Sequence, residues 1–283
     1  MNVLEYTGSG MKEKWKVAKG NKNANLKIIS LGMGVQSTAV YLMSSMEYRL
    51  SRADYAVFAD PQAEHPKTYE MLEWLLNWQI KNNGIPIIVN KDKNLHKDIL
   101  SSYKKGSRVA SIPAHTSNNG IVRRQCTSEY KIQPVIKSSR ELHELKPRQR
   151  MKPTEMWLGI STDEIQRMKE SILYNIDYFY PLIYHNMSRA DCLNFFKENN
   201  FPVPSKSSCV FCPFHSDKFW RSLKKENGSA WKMSVEIDKV IRSHPKMKEK
   251  QYLSKHCQPL DSIDFQENQT DLFEEECEGY CGI

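Results

Sequence analysis

The sequence predicts an α/β fold, in which a five-stranded parallel sheet carries helices on both faces and is followed by a C-terminal helical extension that contains cysteines. Three observations predict it. Short apolar segments alternate with segments of helical periodicity, as in parallel sheets with crossover helices. A glycine-containing turn at 32–34 joins the first strand to the first helix. After Phe201 the composition changes to proline-rich turns around a Cys-x-x-Cys pair, and two helical segments follow.

The predicted strands are short apolar runs that suit a buried sheet. They lie at 26–31, 53–59, 85–89, 156–160 and 179–183. The predicted helices show amphipathic spacing, with Pro66 at the start of the second and Ser188 as the cap of the fifth. They lie at 37–50, 66–82, 95–103, 126–145, 188–199, 217–225 and 229–243. Residues 104–125 are rich in turn formers and are expected to form a loop, and Pro134 permits a kink in the fourth helix.

Three segments are expected along the chain. Residues 1–25 are polar and lysine-rich and predict a flexible N-terminal arm. Residues 26–200 contain the strand and helix pattern of the α/β domain, and residues 201–283 contain the Cys-x-x-Cys segment, two helices and an acidic tail. The chain has 283 residues, which is enough for one well-packed α/β domain and an appendage.

Composition restricts the classes of function. The chain carries 41 Lys and Arg against 33 Asp and Glu, a net charge of +8, which suits a nucleic acid or polyanionic nucleotide partner. A lysine-rich solubilising surface explains the charge equally well. No apolar run approaches the roughly 20 residues of a membrane span, so we expect no membrane association and a cytoplasmic location. In that reducing compartment the seven cysteines are expected to be thiols or metal ligands.

The turn after the first predicted strand is a candidate phosphate site. A strand that ends in glycines and enters a helix presents free backbone N–H groups and the positive end of the helix dipole to an anion. Ser30, Ser37 and Thr38 add hydroxyl groups. The Gly-Lys-Ser/Thr ending of a Walker loop is missing. A purely structural turn remains an equal alternative on these residues alone.

Three cysteines form the second candidate site. Cys209 and Cys212 make a Cys-x-x-Cys turn, and Cys126 lies among basic residues about eighty positions upstream. Arg124 and Lys131 are expected to favour thiolates and to attract an anionic substrate. These residues are the candidate catalytic groups.

The three thiolates are also candidate metal ligands. They suit a [4Fe–4S] cluster with one coordination position left open. The alternatives are a closed structural zinc site with His215 as fourth ligand, and free thiols or a dithiol pair. Cys192 falls in a helical pattern and is expected in the core, and Cys257 has no recognisable partner. Cys277 and Cys281 lie in the acidic tail, as a mobile redox or persulfide arm, as extra metal ligands, or as part of a disordered end.

The order of these motifs resembles the PP-loop ATP pyrophosphatases and phosphoadenosine phosphosulfate (PAPS) reductases of the adenine nucleotide α-hydrolase (HUP) superfamily. The PP-loop pattern Ser-Gly-Gly-x-Asp-Ser-Thr corresponds to Gly32, Met33, Gly34, Val35, Gln36, Ser37 and Thr38. Gln36 occupies the acidic position, which weakens a magnesium ligand there. Segments 58–69, 126–134, 159–167 and 180–182 resemble further reductase motifs, although Ser161 stands where arginine is common.

The resemblance implies a Rossmann-like sheet that binds ATP with Mg²⁺ at the carboxyl ends of its strands. It implies phosphates on 32–38, adenosine near Phe58, Asp60 and Gly159, further nucleotide contacts from Glu64 and Arg167, and both cysteine segments at the mouth of the active site.

Three hypotheses of function follow from the residues and the resemblance. The first is an ATP-dependent sulfurtransferase that adenylates a substrate, with a nucleic acid as acceptor and a sulfur donor protein as partner. The second is a reductase of sulfated adenine nucleotides, and the third is a non-catalytic nucleotide-binding protein with a structural zinc site. The sequence leaves the oligomeric state open, with a homodimer as one expectation.

Overall fold

The computed structural model describes residues 20–105, 112–118, 120–122, 125–243 and 249–265. The first nineteen residues of the predicted N-terminal arm lie outside these ranges. The candidate catalytic residue Arg124 and the terminal cysteines Cys277 and Cys281 also lie outside the described residues.

Seven strands lie in the described ranges. In chain order they are β1 (Leu26–Ser30), β2 (Tyr55–Ala59), β3 (Ile87–Asn90), β4 (His115–Thr116), β5 (Thr154–Leu158), β6 (Ile176–Phe179) and β7 (Gln251–Tyr252). The α-helices there are α1 (Val35–Ser45), α2 (Pro66–Lys81), α3 (Leu95–Lys105), α4 (Gln133–Leu142), α5 (Pro181–Tyr184), α6 (Arg189–Glu198), α7 (Asp217–Glu226) and α8 (Ser229–Arg242). A π-helix (Ser128–Ile132) and 3₁₀-helices at Thr162–Arg167 and Leu260–Ser262 complete them.

The central sheet has the strand order β3-β2-β1-β5-β6, and all four pairings are parallel. Ile29 pairs with Ala56 of β2 on one side and with Trp157 of β5 on the other. The chain leaves β1 toward β2 and returns later to place β5 on the opposite side of β1. The order of connection therefore reverses between β1 and β5, which is where open α/β sheets bind ligands. The predicted α/β Rossmann-like fold is confirmed.

The chain folds into two compact units. The described residues of the first unit are 20–59, 67–90 and 135–207, and they include the whole parallel sheet. Those of the second unit are 60–66, 91–134 and 208–265, interrupted by the gaps given above. The sequence predicts contiguous segments at 26–200 and 201–283, whereas the compact units are discontinuous.

The first unit has a core built around α1. Almost every residue of this helix is buried, including the polar Ser44 and Thr38. Tyr41 donates its hydroxyl to the carbonyl oxygen of Ile85 (2.9 Å), and burial raises the pKa of this phenol to about 12. Because the helix is enclosed, its first turn has a fixed place at the end of β1.

The second unit has its own apolar core, to which α3, α7 and α8 contribute. Asp238 of α8 is buried and fastens the following chain: its carboxylate accepts hydrogen bonds from the backbone N–H groups of Leu253 (3.0 Å) and Leu260 (3.1 Å). Arg242 pairs with the same carboxylate at 3.2 Å. Burial raises the pKa of Asp238. This buried acid therefore joins residues far apart in sequence within the second unit.

Several predicted boundaries are wrong. The fourth sheet strand begins at Thr154 rather than at Met156, because the polar residues Thr154 and Glu155 are buried with hydrogen-bond partners. The fifth is Ile176–Phe179, since Pro181 begins a helix at the position where its missing N–H has no consequence. Helix α1 ends at Ser45 rather than at residue 50. In the part of the chain that the structure describes, no helix is both long and apolar enough to cross a bilayer.

Candidate active site

The glycine turn between β1 and α1 has a defined local structure. Met33 adopts a left-handed backbone conformation (φ 61°) while its side chain is buried in the core. Gly34 is the N-cap residue of α1. The backbone N–H of Gly32 donates to the hydroxyl of Ser37 (3.2 Å), and that hydroxyl donates to the carbonyl oxygen of Gly34 (3.2 Å). Ser37 thus closes the loop on itself.

The first turn of α1 has no compensating negative charge of its own. Gly34 provides no side-chain cap and no acidic residue lies in the turn, so the partial positive charge of the helix end is not neutralised from within. The hydroxyl oxygen of Thr38 is buried and has no hydrogen-bond partner in the described structure. These features suit an anion.

Gly159 permits the first turn of α1 to lie directly against the end of β5. A Cβ atom added at this glycine would lie 2.6 Å from both the backbone nitrogen and the Cα of Ser37. The carboxyl ends of β1 and β5, between which the order of connection reverses, therefore both lie at the glycine turn. The sequence predicts Gly159 near adenosine, and the structure places it against Ser37 and Gln36 in the first turn of α1, in the same unit.

Gln36 lies in the first turn of α1 and connects two arginines. Its side-chain oxygen accepts a hydrogen bond from Nη1 of Arg189 (3.0 Å), and its amide nitrogen donates to Oε2 of Glu164 (3.3 Å). The other oxygen of Glu164 accepts from Nη1 of Arg167 at 2.5 Å. The series of side-chain contacts Arg189–Gln36–Glu164–Arg167 thus links the predicted nucleotide residue Arg167 to the first turn of α1 through Glu164.

Three other residues predicted to contact the nucleotide, Ser30, Phe58 and Asp60, take part in the sheet, the core and a turn. Ser30 ends β1 and pairs with Val57 of β2. The ring of Phe58 is buried in the core of the first unit. In the second unit, Asp60 is buried and its carboxylate accepts from the backbone N–H of Gln62 at 2.7 Å, which stabilises a turn.

The three candidate cysteines line one cavity in the second unit. Its volume is about 40 Å³, room for a few water-sized groups. Lys131 supplies a charged side chain to the wall, which is otherwise mostly apolar. The full lining is Pro61, Leu95, Ile112, Pro113, Cys126, Thr127, Tyr130, Lys131, Ser208, Cys209, Phe211, Cys212, Pro213 and Phe214.

Two local structures hold the thiols at this cavity. Cys209 and Cys212 form the predicted tight turn, with the N–H of Cys212 donating to the carbonyl oxygen of Cys209 (3.0 Å). Cys126 precedes the π-helix, whose C-cap Gln133 donates its N–H to the carbonyl of Ser128. The next residue is Pro134, which has no N–H for a regular α-helical bond, and this accounts for the wider turn.

Glu64 and Lys131 form an ion pair in the second unit. Lys131 donates to Oε1 of Glu64 at 2.9 Å, and the Glu64 side chain is fully buried. Glu64 also forms an isolated β-bridge with Cys209. The sequence predicts Glu64 as a nucleotide contact and Lys131 as a catalytic cation, and the structure joins them beside the cysteines.

The thiols suit a soft metal by their chemistry, yet they do not meet at a metal-binding point. In the described ranges, no group of three or more His, Cys, Asp or Glu side chains is arranged to hold a metal ion. Nε2 of His215 lies 2.8 Å from the carbonyl oxygen of Cys209. A carbonyl only accepts, so this nitrogen carries the proton and only Nδ1 of His215 could bind zinc.

Two further cysteines have different surroundings. Cys192 is fully buried on α6, and burial raises the pKa of its thiol to about 12. This agrees with the predicted core position. Cys257 donates its thiol to the carbonyl oxygen of Thr116 at 3.3 Å, so it has a partner that the sequence does not indicate.

The site residues that the sequence does not predict belong to the surroundings of Gln36. Arg189 lies 153 positions from Gln36 and carries no motif. The available sequence signal for Arg189 is its position at the start of α6, directly after the predicted helix cap Ser188. The assembled first-unit residues are thus the glycine turn, Gly159, Gln36, Glu164, Arg167 and Arg189, and those of the second unit are the three cysteines, Lys131 and Glu64.

Comparisons with known proteins find similarity among solved structures. No protein-family model matches the chain, and no curated protein sequence matches it. Among solved structures, the chain is similar to phosphoadenylyl-sulfate (PAPS) reductase from Candida auris in its phosphate complex. The sequences are 14% identical, the TM-score is 0.40, and the match covers 71% of this chain and 84% of that chain.

Proposed function

We propose that the protein is an ATP-dependent sulfurtransferase that adenylates an oxygen of its substrate and replaces that oxygen with sulfur. The observation that carries the proposal is the shared cavity of Cys126, Cys209 and Cys212, with Lys131 in its wall. Thiols separated by more than eighty residues need a reason to converge on one cavity, and sulfur chemistry supplies it. The proposal requires the nucleotide and the thiols to act on the same substrate.

The nucleotide part of the proposal rests on the first unit. ATP would bind outside the β1 and β5 ends, with its phosphates at the first turn of α1. A substrate oxygen attacks the α-phosphorus, the bond to the bridging oxygen breaks, and pyrophosphate leaves. The contribution of this chain is positioning and positive charge at the phosphates, from backbone N–H groups and from Arg189 and Arg167.

The sulfur part uses two thiols of this chain and a sulfur donor, which is a protein that carries a persulfide. One cysteine receives the terminal sulfur of the donor as a persulfide. That sulfur attacks the activated carbon and AMP leaves with the oxygen. A second cysteine attacks the enzyme sulfur, the thiolated product is released, and an enzyme disulfide forms. A dithiol reductant then restores both thiols. Cys209 and Cys212, in one tight turn, suit this exchange.

A [4Fe–4S] cluster on Cys126, Cys209 and Cys212 is part of the proposal as an alternative way to carry sulfide on an open coordination position. The support for the cluster is that thiolates are suitable ligands for iron. Among the described residues, no three such side chains are arranged to hold a metal ion. Anaerobic protein should then be brown and contain iron and acid-labile sulfide. Colourless protein with one zinc per chain would exclude the cluster.

We propose a nucleic acid as the acceptor, since the chain has a net charge of +8. A sulfur donor protein, a homodimer and a cytoplasmic location belong to the same proposal.

The decisive experiment follows ATP labelled at the α-phosphate, with RNA as acceptor and a persulfide donor. We expect AMP and pyrophosphate to form in step with thiolated RNA. Cys209→Ala should abolish sulfur transfer while leaving ATP binding intact. Cys257→Ser is the matched control, because it removes another partly exposed thiol of the second unit and keeps a hydrogen-bond donor. Equal losses in both variants would contradict the role of the cavity.

The Cys209–Cys212 turn also suits a second function, reduction of a sulfated adenine nucleotide by the dithiol. In that reaction one thiolate attacks the sulfur of the sulfated nucleotide, the S–O bond to the phosphate breaks, and the nucleotide leaves. The second thiolate then attacks the sulfur of the first cysteine, sulfite leaves with the electron pair, and a disulfide remains. Sulfite release without ATP would favour the reductase over the sulfurtransferase.

A further inference from the structure

We propose that Arg189 binds the phosphates of the nucleotide, and that Gln36 positions it, so that a guanidinium at this loop takes over charge neutralisation from a divalent cation. The proposal rests on the nucleotide site of the proposed function and deepens it. Its basis is the series of side-chain hydrogen bonds that links Arg189, Gln36, Glu164 and Arg167 at the first turn of α1.

Gln36 fixes Arg189 by a direct contact. The distance from Nη1 of Arg189 to the side-chain oxygen of Gln36 is 3.0 Å. The amide is itself held from the other side by Glu164 at 3.3 Å. With both ends of the amide engaged, its oxygen faces a cation, and a metal ion would compete with the guanidinium for the same oxygen. Gln36 therefore acts as a positioning residue.

The backbone of Arg189 is also held in place. It follows the cap residue Ser188, whose side chain forms a reciprocal capping box with Asp191. The N–H of Arg189 donates to Oδ2 of Asp163 at 2.5 Å. Asp163 also accepts from the hydroxyl of Ser161 at 3.2 Å. The start of α6 is thus tied to the segment that follows β5, and β5 ends against α1.

Charge balance explains why a neutral residue at position 36 matters. Glu164 is already paired with Arg167, and Asp163 accepts from the N–H of Arg189 and from a hydroxyl. A carboxylate at position 36 would place a negative charge at the loop and favour a metal ion as the bridge to a polyphosphate. Glutamine holds Arg189 through a neutral oxygen and adds no negative charge at the positive end of α1.

The test is calorimetric titration of the full chain with ATP, once with EDTA and once with excess Mg²⁺. We expect Arg189→Ala to weaken ATP binding in EDTA by about tenfold or more, since a charge-assisted phosphate contact is lost. Arg189→Lys should recover part of the affinity. The matched control is Lys197→Ala, which removes the same charge from the far end of α6, where the side chain is exposed.

A second variant tests the positioning role. Gln36→Asp should pair with Arg189 and supply a metal ligand, so that the ratio of ATP dissociation constants without and with Mg²⁺ rises by about tenfold. Adding Gln36→Ala to Arg189→Ala should cost little beyond Arg189→Ala, because the amide acts through the guanidinium. A loss of folding alone would not change the Mg²⁺ ratio.

The outcomes separate the two proposals. If the wild-type chain binds ATP and Arg189→Ala binds it as tightly as Lys197→Ala does, the role of Arg189 is wrong and the nucleotide site stands. An unchanged Mg²⁺ ratio in Gln36→Asp also overturns the role of Gln36. If the wild-type chain binds no ATP under either condition, both proposals fail.

Discussion

Gly159→Ala tests whether α1 and β5 meet as described. A Cβ atom at this position would lie 2.6 Å from the nitrogen and the Cα of Ser37, and 3.0 Å from the carbonyl carbon of Gln36. All three are backbone atoms, so no side-chain rotation relieves the contact. Either the end of β5 or the first turn of α1 must move by several tenths of an ångström.

The expected cost follows from two opposing effects. Forcing an extra methyl group into a packed region costs about 1–3 kcal/mol, and the enclosed α1 helix favours the upper part of that range. Replacing glycine by alanine restricts the unfolded chain and returns about 0.4–1 kcal/mol. We therefore expect Gly159→Ala to lower the free energy of unfolding by about 1–2 kcal/mol and the melting temperature by about 2–8 °C.

The assay is urea unfolding followed by tryptophan fluorescence, with ATP binding measured in parallel. Gly32→Ala is the matched control, because its added Cβ would meet only the Ser37 hydroxyl at an ordinary 3.6 Å. If Gly159→Ala is as stable as Gly32→Ala, the close packing of β5 against α1 is wrong. A stable Gly159→Ala variant that also binds ATP normally would remove the geometric basis of the phosphate site.

Three more predictions concern buried groups. Lys131→Met should destabilise the protein by about 2–4 kcal/mol, because the buried Glu64 loses its ion pair with Lys131, and adding Glu64→Gln should restore much of the loss in urea unfolding. Cys192 should resist alkylation in the native protein at pH 8, since at a pKa of about 12 roughly one thiol in ten thousand is ionised; rapid labelling seen by peptide mass spectrometry would contradict its burial. Burial lowers the pKa of His143 below 6.5, so the unfolded state binds more protons and stability should fall as the pH drops through 6.5. His143→Gln should flatten that part of the stability curve.

The elements predicted best are those whose own residues determine them. The apolar strand β1 and the helix that begins at Pro66 are predicted to within one residue, since periodicity and a proline at the helix start are local signals. The cap at Ser188 is predicted for the same reason and is confirmed with its capping box. Strand β5 is predicted two residues late. Its first residues, Thr154 and Glu155, are polar and look exposed in the sequence, but they form hydrogen bonds with His143 and Trp157.

The candidate sites divide in the same way. The glycine turn is recognisable because its residues are consecutive, and the order of motifs indicates that Gly159 belongs nearby. The contact of Arg189 with Gln36 and the pairing of Glu64 with Lys131 join positions 153 and 67 residues apart. No local pattern encodes such pairs, because they depend on which strand ends and turns the folded chain places side by side.

The Glu64–Lys131 pair also changes the electrostatic argument about the thiols. From the sequence, Lys131 is one of the cations expected to stabilise thiolates. In the structure its charge is shared with a fully buried carboxylate 2.9 Å away, so the pair is close to neutral when viewed from the cavity. The attraction of the thiolates to the ammonium is then opposed by repulsion from Glu64, and the walls of the cavity are mostly apolar, which strengthens both effects. The contribution of this pair to thiol activation therefore depends on how closely each sulfur approaches Lys131 relative to Glu64, because the ion pair presents a dipole to the cavity rather than a net positive charge.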